Sequence, residues 1–342
     1  MMKDNFYKKL KKPIVGMAPM DGVTDAAMRY MVSKHSKPSF VMTEFTNVEG
    51  LARGAVKMMP AFLYDEIERP IVAQLFGVEV LSFYKAAVML CELGFDGIDI
   101  NMGCPIQKIA KKGSGAALIR TPELARGIIR SVKKGVDDWA GGISMKKAGV
   151  HENIIKEVEK MRHGKAKRRV IPVSVKTRIG YDEVAYEQWM EQLLEEKPDA
   201  IFMHGRTLKQ LYRGEADWEI LGKAAKICKG SGTLFFGNGD VKSMKDAVEK
   251  IKKYDLDGVI VGRAVQGNPW FFGGKEPSLK RKKTAAIEHC EYFVKIFGGK
   301  KLFCHLKKHL AWYIKGFEGA SELRMRLMGA ENLSDVRKIL KF

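Results

Sequence analysis

Short apolar runs recur eight times along the chain, and most of them are continuous rather than alternating. They lie at Ile14–Met17, Phe40–Thr43, Ile71–Leu75, Gly97–Asn101, Val173–Lys176, Ala200–His204, Leu234–Gly237 and Gly258–Gly262. Continuous runs of this length are typical of parallel strands that are covered on both faces. Amphipathic stretches typical of helices lie between several of them. Eight strand–helix units favour an α/β fold, the (β/α)8 TIM barrel, over an open doubly wound sheet.

The carboxyl ends of these predicted strands are rich in polar residues and glycine. The candidate site residues found there are Pro19, Met20, Gln74, Asn101, Cys104, Lys176, Arg178, His204, Asn238, Gly239, Asp240, Gly262 and Arg263. Barrel enzymes carry their chemistry at that face, in the loops that follow the strands. Strand interiors need none of these residues, so the pattern indicates a functional site at the barrel mouth.

Two of the strand ends have the character of a phosphate site. The segments Gly237–Asp240 and Gly262–Arg263 follow the seventh and eighth strands, whose loops bind phosphate in many barrels. Glycine lets backbone N–H groups approach an anion closely, and Arg263 adds positive charge. Either segment alone could be a tight turn, but the two together at these strands favour phosphate binding.

Three other strand-end residues suit a flavin reductase. Lys176 could stabilise negative charge on a reduced isoalloxazine ring, and Gln74 could hydrogen-bond the pyrimidine edge of that ring. Cys104 lies in a tight turn between Gly103 and Pro105, where its thiol could donate a proton to a carbon atom. The alternatives are rim residues satisfied by neighbouring loops and a cysteine that packs as a small apolar side chain.

The net charge narrows the class of partner. The chain has 60 Lys and Arg against 40 Asp and Glu, a formal charge of +20. Such an excess indicates a polyanionic partner, either nucleic acid or an anionic membrane surface, unless it serves solubility alone. The N-terminal residues lack an apolar signal core, no run is long enough to span a membrane, and the five cysteines show no C-x-x-C spacing. We therefore expect a reduced, cytoplasmic protein.

The same composition suggests a division into domains. Residues 1–272 hold the predicted barrel, with a basic insertion at about 137–169 that could contact RNA or be a solvated excursion. A linker rich in Gly, Pro and Lys follows at 273–283. Residues 284–342 have helical patterning, and 275–342 contain 16 Lys and Arg against 7 Asp and Glu. We expect a small, all-helical, basic domain, which would be an RNA-binding domain if the polyanionic partner is RNA.

Several long segments then carry a resemblance to one family. They are APMDGVTD (18–25), AQLFG (73–77), GFDGIDINMGCP (94–105), SGAALIRTPE (114–123), VSVKTRIG (173–180), HGRTLKQLYRGEADW (204–218), GNGD (237–240), GRAVQGNPWFF (262–272) and KKHLAWYIKG (307–316). On these segments, which span nearly the whole length, the chain resembles the bacterial tRNA-dihydrouridine synthases.

The resemblance implies a function and a role for each site residue. It implies reduction of the C5–C6 bond of uridine in tRNA, with FMN at the barrel mouth and NADPH, or NADH, as reductant. Hydride would reach C6 from reduced FMN and a proton would reach C5 from Cys104, while Asn101 and Arg178 would lie near the base. The implied FMN set is Pro19, Met20, Gln74, Lys176, His204, Asn238, Gly239, Asp240, Gly262 and Arg263. A monomer without an obligatory protein partner and without a metal is expected.

Other functions stay open at this point. Ribosomal RNA could replace tRNA, a flavin barrel could reduce a free pyrimidine, and an RNA-binding protein could lack turnover. Asp21 departs from the family, which often has a small residue there. His305 and His309 have a spacing that can bind metal on a helix, but helix packing or RNA contact is the favoured interpretation.

Overall fold

The computed structural model describes residues 4–211, 213–274, 276–299 and 301–340. Eight parallel strands form a closed barrel in which each strand pairs with its neighbours in chain order and β8 pairs with β1. The strands are β1 Ile14–Met17, β2 Val41–Asn47, β3 Ile71–Phe76, β4 Gly97–Met102, β5 Val173–Arg178, β6 Ala200–His204, β7 Leu234–Asn238 and β8 Gly258–Val261. The predicted TIM barrel is confirmed, and the open sheet is excluded.

Strand β2 differs most from its prediction. The apolar run ends at Thr43, but the strand continues to Asn47 through a bulge where the pairing with β3 shifts between Met42 and Phe45. Thr43 accepts a hydrogen bond at Oγ1 from the backbone N–H of Gln74 at 3.0 Å. Because a bulge turns side chains away from strict alternation, hydropathy alone does not reveal the extra residues.

Helices surround the barrel and cover its strands. They are α1 Ala26–Ser36, α2 Val48–Ala52, α3 Val80–Leu93, α4 Gln107–Ala110, α5 Pro122–Ala140, α6 Glu152–Met161, α7 Tyr186–Glu195, α8 Trp218–Cys228 and α9 Met244–Lys253. Helix α5 runs into the predicted insertion, because its buried residues continue to Trp139 and Ala140. None of the helices in the described part of the chain combines the length and apolarity that a bilayer crossing needs.

Aromatic side chains fill the amino end of the barrel. Tyr7, from a short 3-10 helix at Phe6–Lys9, is buried and contacts Phe40, Phe202 and Phe236, with ring centroids 5.4–6.0 Å apart. Its hydroxyl lies 3.3 Å from the Ser174 hydroxyl. The packed amino end leaves the carboxyl end of the barrel as the place for a ligand.

The insertion brings its basic run, residues 162–169, to the amino end of the barrel. The insertion also contains helix α6, which was not predicted and which buries Ile154 and Val158. Arg168 packs over the Trp139 ring at 4.5 Å, and Arg169 pairs at 2.8 Å with Asp96, which directly precedes β4. These contacts hold the basic run at the opposite end from the predicted site, so RNA bound at the barrel mouth would lie away from it.

In its described residues the C-terminal unit has four helices, α10 Leu279–Phe297, α11 Cys304–Tyr313, α12 Ala320–Gly329 and α13 Leu333–Leu340. Helix α10 begins inside the predicted linker, because the Ser278 side chain caps it by accepting from the N–H of Arg281. The unit shares an apolar cluster with α1, where the Tyr30 and Tyr292 rings stack at 3.6 Å. The helical unit therefore packs directly beside the loop between β1 and α1.

Candidate active site

A cavity of about 410 Å³ lies at the carboxyl ends of the strands. All thirteen site residues singled out in the sequence line it: Pro19, Met20, Gln74, Asn101, Cys104, Lys176, Arg178, His204, Asn238, Gly239, Asp240, Gly262 and Arg263. They come from seven of the eight strand ends, all but that of β2, and the closed barrel brings these ends to one rim. The structure thus groups residues that are up to 244 positions apart (19 to 263).

The Cys104 turn is held from two sides. The side-chain oxygen of Asn101 accepts from the backbone N–H groups of Gly103 at 3.1 Å and Cys104 at 2.9 Å. Gly115, at φ +64°, packs so closely that an added Cβ would lie 2.9 Å from the Cys104 carbonyl oxygen. Burial raises the pKa of the Cys104 thiol. The thiol is therefore protonated at neutral pH. The hydrogen bonds and the packing hold the backbone of the turn in place.

Arg178 links the Cys104 turn to the next loop. It is 6% exposed, and its Nε donates to the Gly103 carbonyl oxygen at 2.7 Å while Nη1 donates to the Thr207 carbonyl oxygen at 3.1 Å. The resemblance suggested a position near the target base, and Arg178 does line the cavity. The structure adds that its guanidinium braces two loops from inside the rim.

Beneath the cavity lies a buried acid that the sequence analysis did not select. Asp99 is fully buried on β4 and accepts from Gln74 Nε2 and from the Ser174 hydroxyl, each at 2.7 Å. Burial raises the pKa of this carboxyl to about 7, although both hydrogen bonds oppose the shift. In the sequence it is visible as a single acid within the apolar run Gly97–Asn101. An acid in such a run is expected to be buried and therefore to need polar partners.

Two neighbouring basic residues face the cavity from β5 and β6. Burial, followed by repulsion from Arg178, lowers the pKa of Lys176 to about 8. Burial also holds the pKa of His204 well below its usual value, and the charges of Arg178 and Lys176 add to that effect. Among the described residues, His204 Nδ1 is buried without a hydrogen-bond partner. A neutral imidazole with an unused nitrogen is suited to a polar ligand.

The loops after β6, β7 and β8 are joined by one carboxylate. Asp240 accepts at 2.5 Å from Arg206 and at 2.5 Å from Arg263, and it also accepts from the N–H of Ala216. Although burial opposes it, the hydrogen bond from Arg206 holds the pKa of Asp240 below its usual value. Arg206 was not among the predicted site residues, although it lies in the HGRT segment. Asp240 thus orients Arg263 of the predicted phosphate segment and Arg206 of the loop after β6.

Gly239 occupies a position that other residues could not adopt without strain. Its φ is +129°, and an added Cβ would lie 2.5 Å from the Ala216 side chain and 3.3 Å from the His204 ring. Backbone with this φ is essentially limited to glycine. The glycine therefore allows the backbone to pass between the Ala216 side chain and the His204 ring.

The β1–α1 loop carries Pro19 and Met20 into the cavity and contacts the helical unit. Glu44 Oε1 accepts from the N–H of Gly22 at 2.6 Å, and Lys301 pairs with Asp25 at 2.9 Å. Asp21, the departure noted in the sequence, lines the cavity and is exposed. The acid lies at the rim of the site rather than within its buried floor.

The comparison with protein families identifies the chain. The sequence model described as Dihydrouridine synthase (Dus) matches residues 16–139 and 138–341. The chain belongs to the dihydrouridine synthase family. The resemblance stated from the motifs is thereby confirmed, and the protein is an oxidoreductase of this family.

Curated relatives agree with the family. A Staphylococcus aureus (strain MRSA252) protein named "Probable tRNA-dihydrouridine synthase" is 33% identical over 99% of this chain and 95% of its own length. "Probable tRNA-dihydrouridine synthase 2" of Bacillus subtilis (strain 168) is 31% identical over 99% of this chain and 96% of its own length. A histamine dehydrogenase structure from Rhizobium sp. 4-9 has a TM-score of 0.49 at 14% identity, over 77% of this chain and 45% of that one.

The histidines of the helical unit do not gather into a metal site within the described ranges. His305 is exposed, whereas His309 is 1% exposed and its ring lies 5.0 Å from that of His289. The two residues with metal-like spacing therefore have different environments. In this dihydrouridine synthase, His309 on α11 packs against His289 of α10.

Proposed function

We propose that this protein reduces the C5–C6 double bond of uridine in tRNA to 5,6-dihydrouridine, with FMN as cofactor and NADPH as electron source. The observation that carries the proposal is the joint placement of Cys104 and Lys176 on one cavity of a dihydrouridine synthase barrel. The names of the Staphylococcus aureus and Bacillus subtilis relatives support tRNA as the substrate. A monomer working in the cytoplasm is the form we expect.

Several features of the cavity support FMN as the cofactor. Lys176 offers a cation for the pyrimidine end of a flavin ring, and His204 has a buried nitrogen without a partner among the described residues. Gly239 permits close backbone approach, and Arg263 supplies positive charge for a phosphate. We assign Pro19, Met20, Gln74, Asn238 and Gly262 to the same binding site. Bound FMN would supply a hydride for C6 of the uracil.

Cys104 would supply the proton for C5. The thiol can act as a general acid because its raised pKa keeps it protonated at neutral pH. The bonds from Gly103 and Cys104 to Asn101, and from Arg178 to Gly103, hold the backbone of the turn. Asn101 and Arg178 thus act at least in part by positioning the thiol beside the base.

The substrate base must leave its stack to reach a cavity of this kind. Exposed lysines lie four to eight residues after Cys104, at Lys108, Lys111 and Lys112, where they could contact the RNA backbone next to the target nucleotide. The excess charge of +20 and the basic helical unit support the same partner. A polyanionic RNA accounts for this distribution, whereas a free pyrimidine would not require it.

The test compares substrates under one condition. Purified protein is incubated with FMN, NADPH and unmodified tRNA transcripts, and mass spectrometry detects two added hydrogen atoms per modified uridine. Parallel reactions contain ribosomal RNA transcripts, free uridine, or NADH in place of NADPH. We expect product in tRNA. Product only in ribosomal RNA, or only in the free pyrimidine, would overturn the assignment of tRNA and leave the flavin chemistry in place.

A further inference from the structure

A continuous chain of side-chain hydrogen bonds runs beneath the cavity to the Cys104 turn. Asp99 Oδ2 accepts from Gln74 Nε2 at 2.7 Å, and Gln74 Oε1 accepts from Asn101 Nδ2 at 3.0 Å. Asn101 Oδ1 then accepts from the N–H groups of Gly103 and Cys104. The hydroxyl of Ser174 on β5 also donates to Asp99, so the hydrogen bonds join three adjacent strands. Strand register favours this, since Asp99 is the pairing partner of Gln74 on β3 and of Ser174 on β5.

The direction of every amide in this chain is determined from both ends. At pH 8, above the pKa of Asp99, the carboxylate is ionised and only accepts hydrogen bonds, so Gln74 turns its NH2 group toward Asp99 and its oxygen toward Asn101. Backbone N–H groups only donate, so Asn101 must turn its oxygen toward Cys104 and its NH2 group toward Gln74. The two requirements agree, and the Gln74 amide therefore has a single orientation toward the cavity.

Asp99 also interacts with the positive charge of Lys176. Lys176 lies on β5 beside Asn101, its pairing partner on β4, and the opposite charges of Lys176 and Asp99 stabilise each other. Arg178 adds a second positive charge close to Lys176. A buried cation without an acidic partner is costly, and Asp99 supplies a negative charge at the floor of the site.

We propose that Asp99 is a positioning residue of the cofactor site, which orients the Gln74–Asn101 pair and supplies the charge that offsets Lys176. The inference rests on the proposed function, because the ring that Lys176 and Gln74 would contact is the flavin. Without Asp99, more uncompensated positive charge would face the ring. Positive charge favours the anionic reduced form, so the reduction potential of the bound flavin would rise.

The measurement is the midpoint potential of the bound flavin in the full-length protein at pH 8. Asp99→Asn keeps the size of the side chain and removes its charge. We expect the two-electron reduction equilibrium to shift at least tenfold, about 30 mV upward, and the FMN dissociation constant to rise severalfold. Ser174→Ala is the matched control, because it removes one hydrogen bond from Asp99 and leaves the charge. It is expected to change the equilibrium less than about twofold.

A second pair of variants addresses folding. Asp99→Asn leaves Lys176 without its counter-charge, so Lys176→Met is made alone and together with Asp99→Asn. The double variant should have a flavin potential above that of Lys176→Met, but by less than the shift in the single variant, because loss of Lys176 raises the pKa of Asp99 and leaves less of it ionised at pH 8. If Asp99→Asn retains the wild-type potential, or if both Asp99 variants fail to fold, the inference is wrong and Asp99 has only a structural role. If wild-type protein binds no FMN and forms no dihydrouridine, the proposed function itself fails.

Discussion

The guanidinium of Arg206 donates to both carboxylate oxygens of Asp240, with Nη2 at 2.5 Å from Oδ2 and Nη1 at 3.2 Å from Oδ1. Arg206 is 2% exposed, and the same carboxylate holds Arg263 at 2.5 Å. One acid after β7 therefore couples the loops after β6 and β8. The arrangement explains why an acidic residue lies among loops that are predicted to bind a phosphate, since two arginines offset its charge.

Asp240→Asn should weaken both stability and cofactor binding. Removing the counter-charge of buried Arg206 is expected to cost about 3 kcal/mol of unfolding free energy. Misorientation of Arg263 should raise the FMN dissociation constant about tenfold, or about 1.4 kcal/mol. Thermal unfolding and flavin fluorescence titration measure the two effects. Glu249→Gln removes the same charge from an exposed pair with Lys245 and should change neither quantity. Wild-type FMN affinity in Asp240→Asn would exclude this role for the carboxylate.

Cys104→Ala should separate cofactor binding from reduction of RNA. Loss of a general acid lowers the rate by a factor of about 100 or more, while the flavin absorbance of the purified protein should be retained. Single-turnover oxidation of the reduced flavin by tRNA measures the step. Cys304→Ser, at an exposed cysteine on α11, should behave like the wild type. Undiminished turnover in Cys104→Ala would exclude the thiol as the proton donor. If the wild-type protein binds RNA but gives no turnover, it is an RNA-binding protein and not an enzyme.

Gly115→Ala tests the packing behind the reactive turn. The added methyl would lie 2.9 Å from the Cys104 carbonyl oxygen and 3.1 Å from the Cys104 Cβ, so the turn must move. Displacing a reactive group slows catalysis, and we expect at least about a tenfold loss of dihydrouridine formation. Gly230→Ala is the matched control, because it has φ +79° and no described atom within 4 Å of the new Cβ. Both variants should lose about 1 kcal/mol of stability from positive φ, but only Gly115→Ala should lose activity.

The helical unit should be sensitive to mild acid. Burial lowers the pKa of His289 to about 3 and the pKa of His309 to about 4, although nearby Asp25 opposes both shifts. Unfolded histidine titrates near 6.5, so the unfolded state binds protons first as the pH falls. The stability that comes from neutral, buried histidines is therefore complete above about pH 6.5 and is lost below it.

Lowering the pH from 7 to 5 should reduce the free energy of unfolding by about 2 kcal/mol for each of these histidines. Urea unfolding followed by circular dichroism measures the loss. His309→Asn should lower stability at pH 7 but show a smaller further loss at pH 5. His305→Asn, on the exposed side of the same helix, should keep the wild-type pH dependence. An equal pH dependence in all three proteins would contradict the assignment to His309.

Residues with a local signal were accessible to prediction. Eight apolar runs identified the strands, because a buried parallel strand requires continuous apolar side chains. The strand ends then identified Cys104, Lys176 and Gln74, since polar residues directly after such runs share one rim in a barrel. Strand β2 and helix α6 were harder, because a bulge breaks the period of one and a charged surface masks the other.

The amino-acid sequence by itself determined the barrel, its family and the members of the cavity rim, because hydropathy period and motif spacing are local properties. Only the tertiary structure decided which polar groups satisfy one another. Asp99 accepts a hydrogen bond from Gln74 because strand register places the two side by side. Arg206 pairs with Asp240 across two loops, and Arg169 of the basic run pairs with Asp96 at the amino end of the barrel. Such partners lie far apart in the chain, and only closure of the barrel brings a buried charge within hydrogen-bonding distance of its counterpart.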